Sequence, residues 1–186
     1  PTDAGDIAAA LKRLGFAVTL IRNGSFDDMR RSLIAFGREA AGADMATVYF
    51  AGHGMEINGD NWLIPVDAEL KRDTDAANEA ISLQSVMLQV SSTGSLGLVI
   101  LDACRNNPFP ELSKTAGHGL AIVDARIGAP GTFVSFSTSP GAEAEDGSGA
   151  NSPYTTALLA SAKEPGIPIE DTFKRVRLAV NKATDG

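Results

Sequence analysis

One run of branched apolar residues, Leu98–Leu101, constrains the fold more than any other part of the sequence. Such a run predicts a β-strand that is buried on both faces, as in the central sheet of an α/β protein. The run leads through Asp-Ala to Cys104, the single cysteine, which therefore lies at the carboxyl end of the strand, where open α/β sheets hold their ligands. A second β-rich run, Thr47–Ala51, ends in Gly-His-Gly. If the two strands are parallel neighbours, His53 and Cys104 emerge side by side at one edge of the sheet.

The order of the other elements also predicts a sheet of this kind. Amphipathic helices alternate with short β-rich runs, which is typical of a mostly parallel sheet with helices on both faces. Ser25 and Asp28 form an acidic variant of the capping box at a helix start, and the Asn58-Gly59 turn predicts a hairpin after the histidine. Because such sheets normally open on a central strand and this chain opens on a helix, we expect an opening strand that lies upstream and is missing from this chain. The alternative is that a neighbouring segment or subunit fills its place in the sheet. The predicted helices are 7–14, 25–40, 81–90, 154–162 and 170–183, and the predicted strands are 16–21, 47–51, 98–101 and 131–136.

Composition limits the class of protein. With 186 residues, of which 44% are hydrophobic and 21% are charged, the chain suits one globular domain with a sizeable core. No run approaches the roughly 18 to 20 apolar residues of a membrane-spanning helix, and no targeting segment is evident, so we expect a soluble protein whose compartment the sequence does not name. The net charge of −7 argues against nucleic acid or an anionic membrane as a partner.

Cys104 and His53 are the residues from which a catalytic centre can be built. A cysteine peptidase needs a thiolate nucleophile, an imidazole that later protonates the leaving amine, and two donors for the oxyanion. Cys104 and His53 can supply the first two, and the backbone N–H groups of Gly54 and Cys104 can supply the donors. From these residues alone an alternative stays open, since a lone cysteine at a strand end is more often a small buried hydrophobe.

Four short stretches match a known family. They are Tyr-Phe-Ala-Gly-His-Gly at 49–54, Trp-Leu-Ile-Pro-Val-Asp at 62–67, Leu-Asp-Ala-Cys-Arg-Asn-Asn-Pro at 101–108 and Ser-Pro-Gly-Ala-Glu at 139–143. With them the chain resembles the caspase-like clan of cysteine peptidases (peptidase C14), and within it the bacterial metacaspases and paracaspases. The caspase signature likewise places a histidine about 50 residues before its Gln-Ala-Cys motif.

The resemblance implies a caspase-like three-layer sandwich in which residues 1–186 form a single catalytic domain. Its large-subunit-like part covers about 1–125 and its small-subunit-like part about 126–186. The resemblance also implies a cysteine endopeptidase with a Cys104–His53 dyad and with no metal or other cofactor in the chemical step. Asp102 stands where caspases that cut after aspartate carry glutamine, and a carboxylate there favours Arg or Lys at the P1 position of the substrate. Glu143 resembles a second acid of that pocket. As alternatives, Asp102 binds nearby backbone and Glu143 is a solvated loop acid.

Several other residues keep two interpretations. His118 follows a second Ala-Gly-His-Gly and is a rival base, although no predicted strand precedes it. Lys114 and Arg126 flank the loop where caspase relatives are often cut, and both match the expected specificity, so they are the predicted self-cleavage sites. Trp62 lines a substrate subsite or, as is more usual in a hairpin, packs on the sheet. The acids between Asp67 and Glu79 can hold an activating calcium, but they lack a regular ligand spacing, which favours a solvated loop.

The sequence therefore predicts an endopeptidase that acts on peptides or proteins with a basic P1 residue, and a homodimer or additional domains stay open. The alternative is a caspase-like signalling or scaffold domain without proteolysis. An intact dyad argues against that alternative, because a scaffold has no chemical reason to keep both residues. A weaker alternative is an unrelated α/β hydrolase or transferase that uses the same cysteine.

Overall fold

A computed structural model describes residues 2–104, 109, 112, 116–117, 131–137 and 149–184, with residues 104, 116 and 117 described by their backbone alone. Its helices are α1 (Asp3–Arg13), α2 (Phe26–Ala40), α3 (Ala76–Glu79), α4 (Leu83–Val90), α5 (Pro153–Ser161) and α6 (Ile169–Ala183), and a short 3-10 helix, Asp73–Asp75, precedes α3. Its strands are β1 (Met45–Ile57), β2 (Asp60–Ile64), β3 (Ile81–Ser82), β4 (Leu96–Cys104), β5 (Ala116–Gly117) and β6 (Thr132–Phe136). Among these helices none is both long and apolar enough to cross a membrane.

The strands form one mixed sheet in the order β3-β2-β1-β4-β6, and β5 pairs with β1 off this path. The strand pairs β1–β4 and β4–β6 are parallel, whereas β2 and β5 run antiparallel to β1, and β3 runs antiparallel to β2. The longest register joins β1 to β4, from Met45 with Leu96 to His53 with Cys104. The predicted α/β class with a mostly parallel centre is therefore confirmed.

The main core lies between the sheet and helices α2 and α4. The side chains of Val99, Leu101 and Ala103 in β4 are buried in this core. Helix α2 adds partly buried apolar side chains, among them Leu33 and Phe36. One face of the sheet is thus covered by helices as predicted, and the layer of helices on the other face stays a prediction.

Two compact units can be distinguished. The sheet and helices α2 to α4 lie in the unit Ile21–Glu143, and the other unit joins Pro1–Leu20 with Ala144–Gly186. Within this second unit helix α5 packs against α1 and α6. The Asp3 carboxylate accepts a hydrogen bond from the Ser152 N–H at 2.9 Å. The single domain and its large and small parts stay predictions.

The local signals at α2 and at the hairpin are confirmed. The Ser25 hydroxyl accepts a hydrogen bond from the Asp28 N–H at 3.1 Å, and the Asp28 carboxylate accepts one from the Ser25 N–H at 3.1 Å, which completes the capping box. In the hairpin turn Asn58 has φ 55° and Gly59 has φ 85°. Two consecutive positive φ values are what a type I′ turn requires, and this turn matches the twist of the β1–β2 pair.

Three predictions about strands and helices were wrong. Residues 16–21 form no strand, although their apolar pattern favours one, because a strand also needs a hydrogen-bonded neighbour and no described strand pairs with them. The predicted strand 47–51 continues to Ile57, because the hairpin extends it. Helix α4 begins at Leu83 instead of residue 81, because residues 81 and 82 pair with β2 and the Ser82 hydroxyl caps the helix. The other boundaries agree within a few residues.

Candidate active site

The parallel register of β1 and β4 brings His53 and Cys104 to neighbouring positions. Adjacent strands lie about 4.8 Å apart, so the two backbones are close enough for a side chain on one to reach the other. The His53 side chain is exposed, and a substrate can therefore reach the imidazole. The backbone of Cys104 is the last residue of β4, whereas its side chain lies outside the described residues.

His53 lies inside β1, two residues beyond the predicted end of that strand at Ala51. It pairs with Cys104 on one side and with Ile64 of β2 on the other, because the hairpin carries β1 past the point at which β4 ends. A strand that is paired on both edges holds a side chain more precisely than a loop does. The position suits a proton-transfer group, whose geometry must be maintained to within fractions of an ångström.

Gly54 follows His53 and is buried. Its partner in the hairpin is Leu63, and the closing pair at the two-residue turn is Ile57 with Asp60. In a two-residue hairpin the closing pair is hydrogen-bonded, and hydrogen-bonded and non-hydrogen-bonded pairs then alternate along the ladder. Gly54 and Leu63 are three pairs away from the closing pair, so they form a non-hydrogen-bonded pair. The Gly54 N–H therefore points away from β2, toward the side of β1 where β4 ends at Cys104.

Asp102 is a buried carboxylate, with a relative exposure of 6%. It lies two residues before Cys104 and pairs with Ala51. The Tyr49 hydroxyl donates a hydrogen bond to Asp102 Oδ2 at 3.4 Å, which is long for an O–H···O bond. Burial of a carboxylate costs folding free energy unless polar groups contact it. Asp102 therefore differs from an ordinary strand-end residue, whose side chain is solvated.

Tyr49 begins the matching stretch 49–54 but has no predicted role, and the structure places its hydroxyl against Asp102. It lies four residues before His53 on β1, and Ala51 lies between them, so all three share one face of the strand. That alternation is visible in the sequence and provides the signal for Tyr49. Its use requires the β1–β4 register, which only the structure supplies.

Trp62 packs on the sheet, the more usual of its two interpretations. It pairs with Met55 across the hairpin and contacts a second buried cluster, which includes Ile57, Ile64 and Leu70. Its indole N–H is buried and has no hydrogen-bond partner within the described ranges of the chain. These contacts favour the packing interpretation over a substrate subsite.

Two acids of the 67–79 segment, Asp67 and Asp75, bind backbone groups. The Asp67 carboxylate accepts a hydrogen bond from the Phe26 N–H at 2.7 Å, at the start of α2. The Asp75 carboxylate accepts one from the Arg72 N–H at 2.9 Å, and this bond is the main reason why the pKa of Asp75 is below its ordinary value. In the described part of the chain no three metal-ligating side chains form a group that could hold an ion.

Four further predicted residues lie outside the described residues. They are Glu143, the rival base His118 and the two predicted self-cleavage sites, Lys114 and Arg126. The structure brings together His53, Gly54 and the Cys104 backbone, with Asp102 two residues earlier on the same strand.

Comparison with known proteins adds one finding. The family model Peptidase_C14, described as a caspase domain, matches residues 1–186. No curated protein matches the chain.

Proposed function

We propose, because the chain belongs to the caspase family of cysteine peptidases, that it is an endopeptidase of the metacaspase or paracaspase type, which cuts after Arg or Lys. The family match covers residues 1–186 and supports a cysteine-type peptidase at the general level. The observation on which the finer proposal depends is the β1–β4 register, which pairs His53 with Cys104 and puts the buried Asp102 two residues away.

Each step of the proposed mechanism has a group on these two strands. The Cys104 thiolate attacks the carbonyl carbon of the scissile bond, and the N–H groups of Gly54 and Cys104 stabilise the oxyanion of the tetrahedral intermediate. His53 then donates a proton to the leaving amine as the C–N bond breaks, which leaves an acyl-enzyme thioester. Water attacks the thioester with His53 as the general base, and the thiolate leaves.

Asp102 is the proposed determinant of P1 specificity, with Glu143 as its proposed partner. A buried carboxylate binds a guanidinium or ammonium group through charge-assisted hydrogen bonds, which are about twice as strong as neutral ones. The same carboxylate repels a P1 aspartate. The proposed substrates are therefore peptides or proteins with Arg or Lys at P1, and the same specificity would direct self-cleavage to Lys114 and Arg126.

Fluorogenic peptides that differ only at P1, as Arg, Lys, Asp or Ala, test the proposal. We expect hydrolysis after Arg and Lys, and we expect the Cys104→Ala variant to abolish it. The Asp102→Asn variant should lower kcat/KM for the Arg peptide by about 30-fold or more, because the cation then lacks its buried counter-charge. Parallel assays with calcium and with a chelator decide whether the ion activates the protein.

Two results would overturn the proposal. Equal hydrolysis of the Asp and Arg peptides would refute the role of Asp102. If none of the four peptides is hydrolysed, although Cys104 is readily alkylated by iodoacetamide, the result would favour the alternative of a non-proteolytic signalling or scaffold domain. Mass spectrometry of the alkylated protein identifies the modified residue directly, because the chain holds a single cysteine.

A further inference from the structure

The contact between Tyr49 and Asp102 ties the proposed specificity carboxylate to the strand that carries the proposed base. The phenol O–H donates to Oδ2 of Asp102 at 3.4 Å, in partly buried surroundings. Asp102 is 6% exposed, so its carboxylate lies among protein groups and not in solvent.

The register explains why a tyrosine at this position reaches the carboxylate. Tyr49 pairs with Ile100, and Asp102 lies two residues farther along β4, so the two side chains are diagonal neighbours on one face. A long aromatic side chain spans such a diagonal. Ala51, the direct partner of Asp102, has only a methyl group and leaves the diagonal open.

We infer that Tyr49 is a positioning residue that fixes the plane of the Asp102 carboxylate and thereby makes the P1 pocket prefer arginine over lysine. This inference rests on the proposed function. A guanidinium is a planar fork that binds a carboxylate through two parallel hydrogen bonds, so its affinity depends on the orientation of the carboxylate plane. An ammonium is a compact charge with rotatable donors and depends on that plane much less.

The Tyr49→Phe variant removes the hydroxyl and keeps the ring. We expect kcat/KM for the P1-Arg peptide to fall about threefold to tenfold, and for the P1-Lys peptide less than twofold, because one hydrogen bond to the carboxylate is lost. The matched control is Thr47→Val, which removes a hydroxyl from the same strand two residues earlier. Among the described residues the Thr47 hydroxyl has no hydrogen-bond partner, so this variant should keep the Arg-to-Lys ratio of the wild type.

A double-mutant cycle identifies the route of the effect. In an Asp102→Asn background, Tyr49→Phe should leave kcat/KM for the Arg peptide unchanged, because the hydroxyl acts through the carboxylate. If Tyr49→Phe leaves the ratio of kcat/KM for the Arg and Lys peptides unchanged, whether or not both values fall, the inference is overturned while the proposed function stands. A wild-type protein that cuts after neither residue would instead overturn the proposed function and this inference with it.

Discussion

Gly97 in β4 is a position at which one added methyl group should disturb the sheet. A Cβ there would lie 2.7 Å from the carbonyl oxygen of Val90 and 3.1 Å from its carbonyl carbon. Both are backbone atoms at the end of α4, so no side chain can rotate out of the way. The contact must open by about 0.7 Å to reach ordinary van der Waals distance. Gly97 also pairs with Ala46 on one side and Thr132 on the other, so any shift of β4 strains two ladders.

Overpacking of this kind costs about 1–3 kcal/mol of unfolding free energy. For a chain of this length, Gly97→Ala should then lower the Tm by about 2–12 °C in a thermal melt followed by circular dichroism. The matched control is Gly94→Ala, since a Cβ at Gly94 would lie 3.6 Å from the Ala43 carbonyl oxygen, an ordinary contact. That control should melt within about 2 °C of the wild type or slightly above it. If Gly97→Ala melts with Gly94→Ala, the close approach of α4 to β4 is refuted.

Two further predictions concern the same unit of the chain. The buried Thr47 hydroxyl has no hydrogen-bond partner in the part of the chain that the structure describes, and such a group costs about 1–3 kcal/mol. Thr47→Val should therefore raise the unfolding free energy by about 1 kcal/mol in urea titrations, and a loss of stability would contradict this. The hydrogen bonds from the Ser25 hydroxyl and N–H lower the pKa of Asp28 below its ordinary value of 3.8. Since the carboxylate form is favoured in the folded state, this stabilisation is present above pH 3.8 and is lost as the pH falls through the folded pKa. Asp28→Asn should therefore be less stable than the wild type in melts at pH 5 to 7, with a difference that shrinks toward pH 3; a constant difference would contradict the assignment.

The parts of the fold that sequence predicted well are those fixed by short-range chemistry. The capping box of Ser25 and Asp28 and the Asn58-Gly59 turn each depend on residues within a few positions, and both are confirmed. The apolar run of β4 was equally clear, because a strand buried in a parallel sheet has no polar alternation to obscure it. The matching of the family model over residues 1–186 agrees with the resemblance drawn from four motifs.

The parts that failed depend on long-range pairing. Residues 16–21 have the pattern of a strand, but pattern describes one chain segment and cannot supply its neighbour. The extension of β1 through His53 follows from the hairpin with β2, and the contact of Tyr49 with Asp102 follows from the β1–β4 register. Register is a property of two paired strands. The pattern of a single strand therefore predicts neither the length of β1 nor the contact between Tyr49 and Asp102.

The core of β4 determines the spacing of the candidate site. Leu101 and Ala103 are almost fully buried in the main core, and Asp102 lies between them on the opposite face. A slip of one residue would turn Asp102 into that apolar core and Leu101 out of it. Because an unpaired carboxylate in an apolar core costs several kcal/mol, the core disfavours one-residue slips from the register that pairs His53 with Cys104. The exposed His53 contributes little to that choice, and its substitution should therefore change activity without changing the fold.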